Sequence, residues 1–87
     1  SMCTYDLADQ YLARGSWNEA ADLARQIVDD EPQGELRALA GFVLGDALEQ
    51  LGKTDEALTQ FEAIRDIYPN PGVIDNRIAY LKKNRKK

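Results

Sequence analysis

The chain holds 87 residues, enough for one domain that buries roughly 60–65% of its unfolded surface. Hydrophobic residues make up 44% and charged residues 30%, the balance of a folded globular domain and not of a disordered one. The net charge is −4 and histidine is missing, so the side chain best suited to proton transfer near neutral pH, also the commonest transition-metal ligand, is excluded.

Residues 4 to 14 carry Leu7, Ala8, Tyr11 and Leu12 on one stripe at helical spacing, and Gly15 ends it where a positive φ is needed. Ser16-Trp17-Asn18-Glu19 reads as a capping box in which Ser16 accepts from the backbone and Glu19 reaches back, with Asn18 as the alternative cap. Ala20, Leu23, Ala24, Ile27 and Val28 form the apolar stripe of a second helix that Pro32 closes. A third stripe, Leu36, Leu39, Ala40, Val43, Leu44, Ala47, Leu48 and Leu51, starts at about residue 35 and ends at Gly52. Thr54 or Asp55 caps a fourth helix with Ala57, Leu58, Phe61, Ile64 and Ile67 turned inward. Tyr68-Pro69-Asn70-Pro71-Gly72 must turn, and a fifth helix begins near Val73. Its sticky side is Ile74, Ile78 and Leu81, its wet side Asp75, Arg77 and Lys82. The fold class is therefore all-α, with five helices.

Two stretches repeat at a spacing of 37 residues: Gly15, Ala20, Ile27 and Pro32 return as Gly52, Ala57, Ile64 and Pro69. A period between 20 and 50 residues is the mark of a stacked repeat protein. Leu44-Gly45, Gly52, Ala57, Phe61 and Pro69 in the second copy, and Leu7-Ala8, Tyr11, Gly15, Ala20, Ala24, Ile27 and Pro32 in the first, resemble the tetratricopeptide repeat pattern. The resemblance covers residues 1 to about 71. It implies antiparallel helix pairs stacked as a short right-handed superhelix (an α-solenoid), in one domain spanning 1–87. Repeat 1 occupies about 1–34, repeat 2 about 35–71, and a capping helix about 73–84 shields the last apolar face.

Two departures from that pattern stand out. The family period is about 34 residues, so the segment Glu31 to Leu39 holds roughly three extra, close to one turn of 3.6, and the first helix of repeat 2 is expected to be longer. Thr4 and Gly41 occupy places where a large aromatic is usual.

Small residues at Ala20, Gly45 and Ala57 are where helix backbones come close. No run of 18 apolar residues exists, and no signal peptide is visible. Ser1-Met2 reads as a cloning remnant, so the chain is expected to be an excised domain. The single Cys3 cannot form an internal disulfide and reads as a small half-buried residue near a terminus; the compartment, cytoplasmic or periplasmic, stays open.

Catalytic groupings are not found. Ser1 and Ser16 have no base partner in sequence, and the glycines form no phosphate loop. Asp29-Asp30-Glu31 lacks the EF-hand spacing and glycine; it reads as a solvated face, with a basic partner as the other reading. No enzyme activity, cofactor or metal is expected.

What the resemblance implies about function is a concave groove lined by the first helix of each pair, holding an extended peptide or a partner helix. Position by position, the groove residues are Tyr5, Asp9, Leu12 and Ala13 on the first helix and Leu39, Phe42, Asp46, Glu49 and Gln50 on the third. Tyr80, Lys83 and Asn84 would close the far edge. Aromatics beside carboxylates suit a protein or peptide segment with Arg or Lys flanked by apolar side chains. The plain packing of Tyr5 and Phe42 between helices is the other reading. Tyr5 and Asp9 stand where some members carry the lysine and asparagine that clamp a chaperone's terminal carboxylate, so that ligand is not expected.

Up to residue 76 there are 15 acids and 5 bases; from 77 on there are 6 bases and no acid. The tail Lys82-Lys83-Asn84-Arg85-Lys86-Lys87 is a possible contact for nucleic acid or an anionic membrane surface, but basic residues also favour a helix C-terminus and the acidic body opposes a polyanion. Neither is the expected partner. The function expected is a non-catalytic protein-protein interaction or scaffold module; the alternative is a homo-oligomerisation element that stacks through its terminal helices. Tyr68-Pro69 and the long period resemble repeats of bacterial envelope and assembly proteins, which points to a bacterial source.

Overall fold

A computed structural model describes residues 2–31 and 33–84. Five helices make up this part: α1 (Met2–Ala13), α2 (Trp17–Asp30), α3 (Gly34–Gln50), α4 (Thr54–Ile64) and α5 (Pro71–Asn84). No strand occurs among the described residues. Each helix packs on its neighbour in the chain, and α1 also lies against α3. The result is the expected all-α stack of helix pairs, with α3, at 17 residues, the longest of the described helices. The extra turn read from the period sits in α3.

The two glycine turns are built alike. Gly15 and Gly52 have φ of +81° and +82°. In the first, the Ser16 N–H donates to the Tyr11 carbonyl (2.9 Å) and the Gly15 N–H to that of Leu12 (3.1 Å); in the second, Lys53 donates to Leu48 (2.9 Å) and Gly52 to Glu49 (3.0 Å). This pair of reversed bonds satisfies carbonyls that the helix end would leave orphaned, and the left-handed residue between them is cheapest as glycine.

The interior changes character along the stack. Between α1, α2 and α3 it is lined by alanines, with Ala8, Ala20, Ala21, Ala24 and Ala47 all buried. Further on, the fully buried Phe61 ring fills the notch above Gly45, where an added Cβ would come within 2.8 Å of the ring. Gly41 opens a second notch: a Cβ there would lie 2.6 Å from Ile64 Cγ2 and 2.5 Å from Arg37 Nη1. The place of the missing large residue is thus taken by Ile64 and the Arg37 side chain. Burial lowers the pKa of that guanidinium below its ordinary value.

Several local expectations are corrected. Ser16 is the N-cap of α2 but makes no side-chain capping bond, and Lys53, not Thr54 or Asp55, is the N-cap of α4. Leu7 is exposed, because no described element lies over that side of α1; Tyr5, Ala8, Tyr11 and Leu12 face the core instead. Ile67 is exposed, since α4 stops at Ile64 and the following turn swings it out while Tyr68 packs inward. Cys3 is exposed. The fifth helix starts at Pro71, two residues early, because a proline at the first helical position loses no hydrogen bond and has φ already set. Arg77 is not on the wet side of that helix but turned inward. Pro32, Ser1 and residues 85–87 of the basic tail lie outside the described residues.

Candidate functional site

Tyr5, Asp9 and Leu12 follow one another at steps of four and three along α1, and Phe42, Asp46 and Glu49 do so along α3, so each trio shares one helix face. The two trios are 37 residues apart, position for position. Leu39 extends the α3 face by about one turn at its start and is half-buried, while Gln50 stands directly after Glu49, four residues from Asp46, and is exposed.

On α3 this face is occupied by a residue of the chain itself. The backbone of α5 packs on α4 and stays clear of α3, and the long Arg77 side chain spans the gap. Its Nη2 donates to Asp46 Oδ1 at 2.8 Å and to Glu49 Oε1 at 2.6 Å. The guanidinium carbon lies 5.4 Å from the centre of the Phe42 ring and 5.3 Å from that of Phe61. The three charged side chains are only 27%, 23% and 18% exposed, for Arg77, Asp46 and Glu49, so their attraction is less screened than that of a surface pair. Burial by itself would pull the arginine pKa down; the hydrogen bonds to Glu49 and Asp46 outweigh it and hold the group above its ordinary value. Phe42 is further fixed by a stacked contact with Tyr68 at 5.3 Å and an edge contact with Phe61 at 5.7 Å. Phe42 therefore packs between helices.

On α1 the same face has no internal cation seated on it among the described residues, although Tyr5 and Leu12 pack partly against the core. Tyr5 is half-buried, Asp9 exposed, Leu12 half-buried. Burial raises the Tyr5 pKa above its ordinary 10.0, and the charges of Asp9, Tyr68 and Asp6 add to that, which puts all three within electrostatic reach of the ring. No basic side chain forms an ion pair with Asp9 among the described residues. Tyr80, 56% exposed on α5, is not joined to either trio by any ring contact or side-chain bond; Asn84 Nδ2 donates to its backbone carbonyl at 2.8 Å. Lys82 and Asp75, also on α5, pair with Glu62 of α4 (3.8 Å) and with Arg65 at its C-cap (2.8 Å), and all four are well exposed.

Sequence reasoning missed Arg77, Phe61 and Tyr68 as parts of this arrangement. For Arg77 the signal was present: Ile74, Arg77, Ile78 and Leu81 stand at i, i+3, i+4 and i+7, so the arginine belongs to the buried stripe.

A family model for the tetratricopeptide repeat matches residues 5–70. The chain belongs to the tetratricopeptide repeat family. That match spans both glycine turns and all the residues of both trios, and it ends just before α5. No curated protein and no solved structure matches the chain. Tetratricopeptide repeats generally mediate protein-protein interaction and are typically non-catalytic. Among the described residues, no group of three His, Cys, Asp or Glu side chains is arranged to hold a metal ion, and no helix is long and apolar enough to cross a membrane.

Proposed function

We propose that this tetratricopeptide domain binds a partner peptide or helix, carrying basic and apolar side chains, along the face shared by α1 and α3, with Tyr5, Asp9, Leu12, Leu39, Phe42 and Gln50 as its contact residues. The observation that carries this reading is the seat of Arg77. A guanidinium brought in by another element lies against an aromatic ring and two carboxylates of this face, at hydrogen-bonding distance. The chemistry of the face is thus suited to cations with an apolar stem. Asp46 and Glu49 are already paired with Arg77, so they line the edge of the groove and the open acid is Asp9. The excess of acids over bases up to residue 76 adds long-range attraction for a basic partner.

The test is selection of a displayed random dodecapeptide library on the purified domain, followed by amide chemical-shift mapping of the peptides obtained. Perturbations are expected at Tyr5, Asp9, Leu12, Leu39 and Phe42, and Asp9→Lys should weaken binding. Perturbations confined to the outer faces of α2 and α4 would refute the groove.

A further inference from the structure

The 37-residue repeat places an aromatic and a carboxylate, four residues apart, on the first helix of both pairs: Tyr5 with Asp9, and Phe42 with Asp46. The second copy is filled, with Arg77 against the Phe42 and Phe61 rings and bonded to Asp46 and Glu49; in the first copy Ala24 and Leu12 stand where Phe61 and Glu49 do, so only the Tyr5–Asp9 half of that seat is repeated. The first copy has the same two groups on the same helix face and no cation of its own among the described residues. We infer that the Tyr5–Asp9 pair is a subsite for a single arginine side chain of the partner, its guanidinium set against the ring and the carboxylate as that of Arg77 is set against Phe42 and Asp46. The inference rests on the proposed groove and names what its α1 half reads.

The differences between the two copies fit an incoming side chain better than an internal one. Tyrosine in place of Phe42 keeps the π-face that attracts a guanidinium and adds a hydroxyl oxygen that can accept one of its five N–H groups. Leu12 replaces Glu49 at the third position, so the subsite has one carboxylate and an apolar neighbour. That suits an arginine whose methylene stem lies on Leu12 while its head meets Asp9. Asp9 is exposed whereas Asp46 is largely covered, which leaves the acid accessible from solvent. Arginine is favoured over lysine because a planar guanidinium can stack on the ring and present two N–H groups to a carboxylate in the same pose, whereas an ammonium is a compact, strongly hydrated charge.

The probe is a capped nonapeptide of alanine, leucine and glutamine with one central arginine, titrated into the 15N-labelled chain beside versions with lysine or citrulline at that place. The arginine peptide should shift the amides around Tyr5, Asp9 and Leu12. Lysine should bind about two- to fivefold more weakly, and citrulline, isosteric but uncharged, weaker still. Asp9→Asn, at an exposed position where the fold is not at stake, should reduce the affinity for arginine to about that for citrulline; circular dichroism checks that the variant remains helical. Equal binding of the three peptides, or undiminished binding by Asp9→Asn, overturns the subsite. If library-selected peptides still map to α1 and α3 in that case, the groove stands and only its arginine preference falls; if they map elsewhere, the groove itself has failed.

Discussion

At the scale of single residues, Arg77 is held by two carboxylates and two aromatic rings at once. Removing it leaves Asp46 and Glu49 side by side without their cation and uncovers part of Phe42 and Phe61. Arg77→Ala is expected to destabilise by about 1–3 kcal/mol, the range for losing hydrogen bonds to charged groups, as read from the urea midpoint. Arg77→Lys should recover only part of this, since an ammonium cannot stack on Phe42 while bridging both acids. Asp46→Lys would bring a second cation against Arg77, so loss of partner binding by that variant would report a damaged fold; Asp9→Lys reports the surface. Tyr5 gives a separate, pH-dependent expectation. Its folded pKa lies above its unfolded one, so the stability it contributes is complete below pH 10 and is lost as pH rises through the raised folded value. Against Tyr5→Phe, the wild type should lose stability selectively above about pH 10 in paired denaturation curves. Coincident pH profiles for the two proteins would contradict this.

At the scale of elements, the helix ends and the helix contacts obey different rules. The C-terminal ends of α1 and α3 are set by glycine and backbone bonding alone, and both were legible because only glycine adopts that conformation freely. The N-terminal ends were legible to within a residue or two, but their side-chain bonding was not, because a capping residue in sequence does not oblige its side chain to bond. Ser16 makes no such bond, so Ser16→Ala should cost less than the ~1 kcal/mol usual for a lost cap in thermal unfolding. Gly45 is the contrasting case. Alanine is the better helix former by about 1 kcal/mol, but a Cβ at 2.8 Å from the buried Phe61 ring forces repacking that costs about 1–3 kcal/mol. Since Phe61 is enclosed on all sides and cannot swing away, Gly45→Ala is expected to lower the melting temperature; an unchanged or raised value would mean that α3 and α4 separate more easily than their packing implies.

For the whole molecule, α5 is both a cover and a brace. Ile74, Ile78 and Leu81 seal the apolar side of α4, and Arg77 ties the same helix to α3 across a gap that backbone packing leaves open. A chain ending at Asn70 should therefore unfold with a broader transition and bind a dye for exposed apolar surface, because a stack of four helices this small has little margin. A sharp transition without dye binding would show that α5 is dispensable. The sequence by itself determined the number and kind of elements, the repeat and the family, since helical periodicity, glycine turns and a 37-residue echo are local properties that every copy of the pattern must carry. Partners across the stack were decided only by the tertiary structure. Asp46 and Glu49 look as free as Asp9 along the chain, and it is the approach of α5, some thirty residues later, that supplies their arginine and leaves the α1 copy of the pair open. Which carboxylate is spent and which is available depends on distances between helices, and a one-dimensional pattern does not encode them.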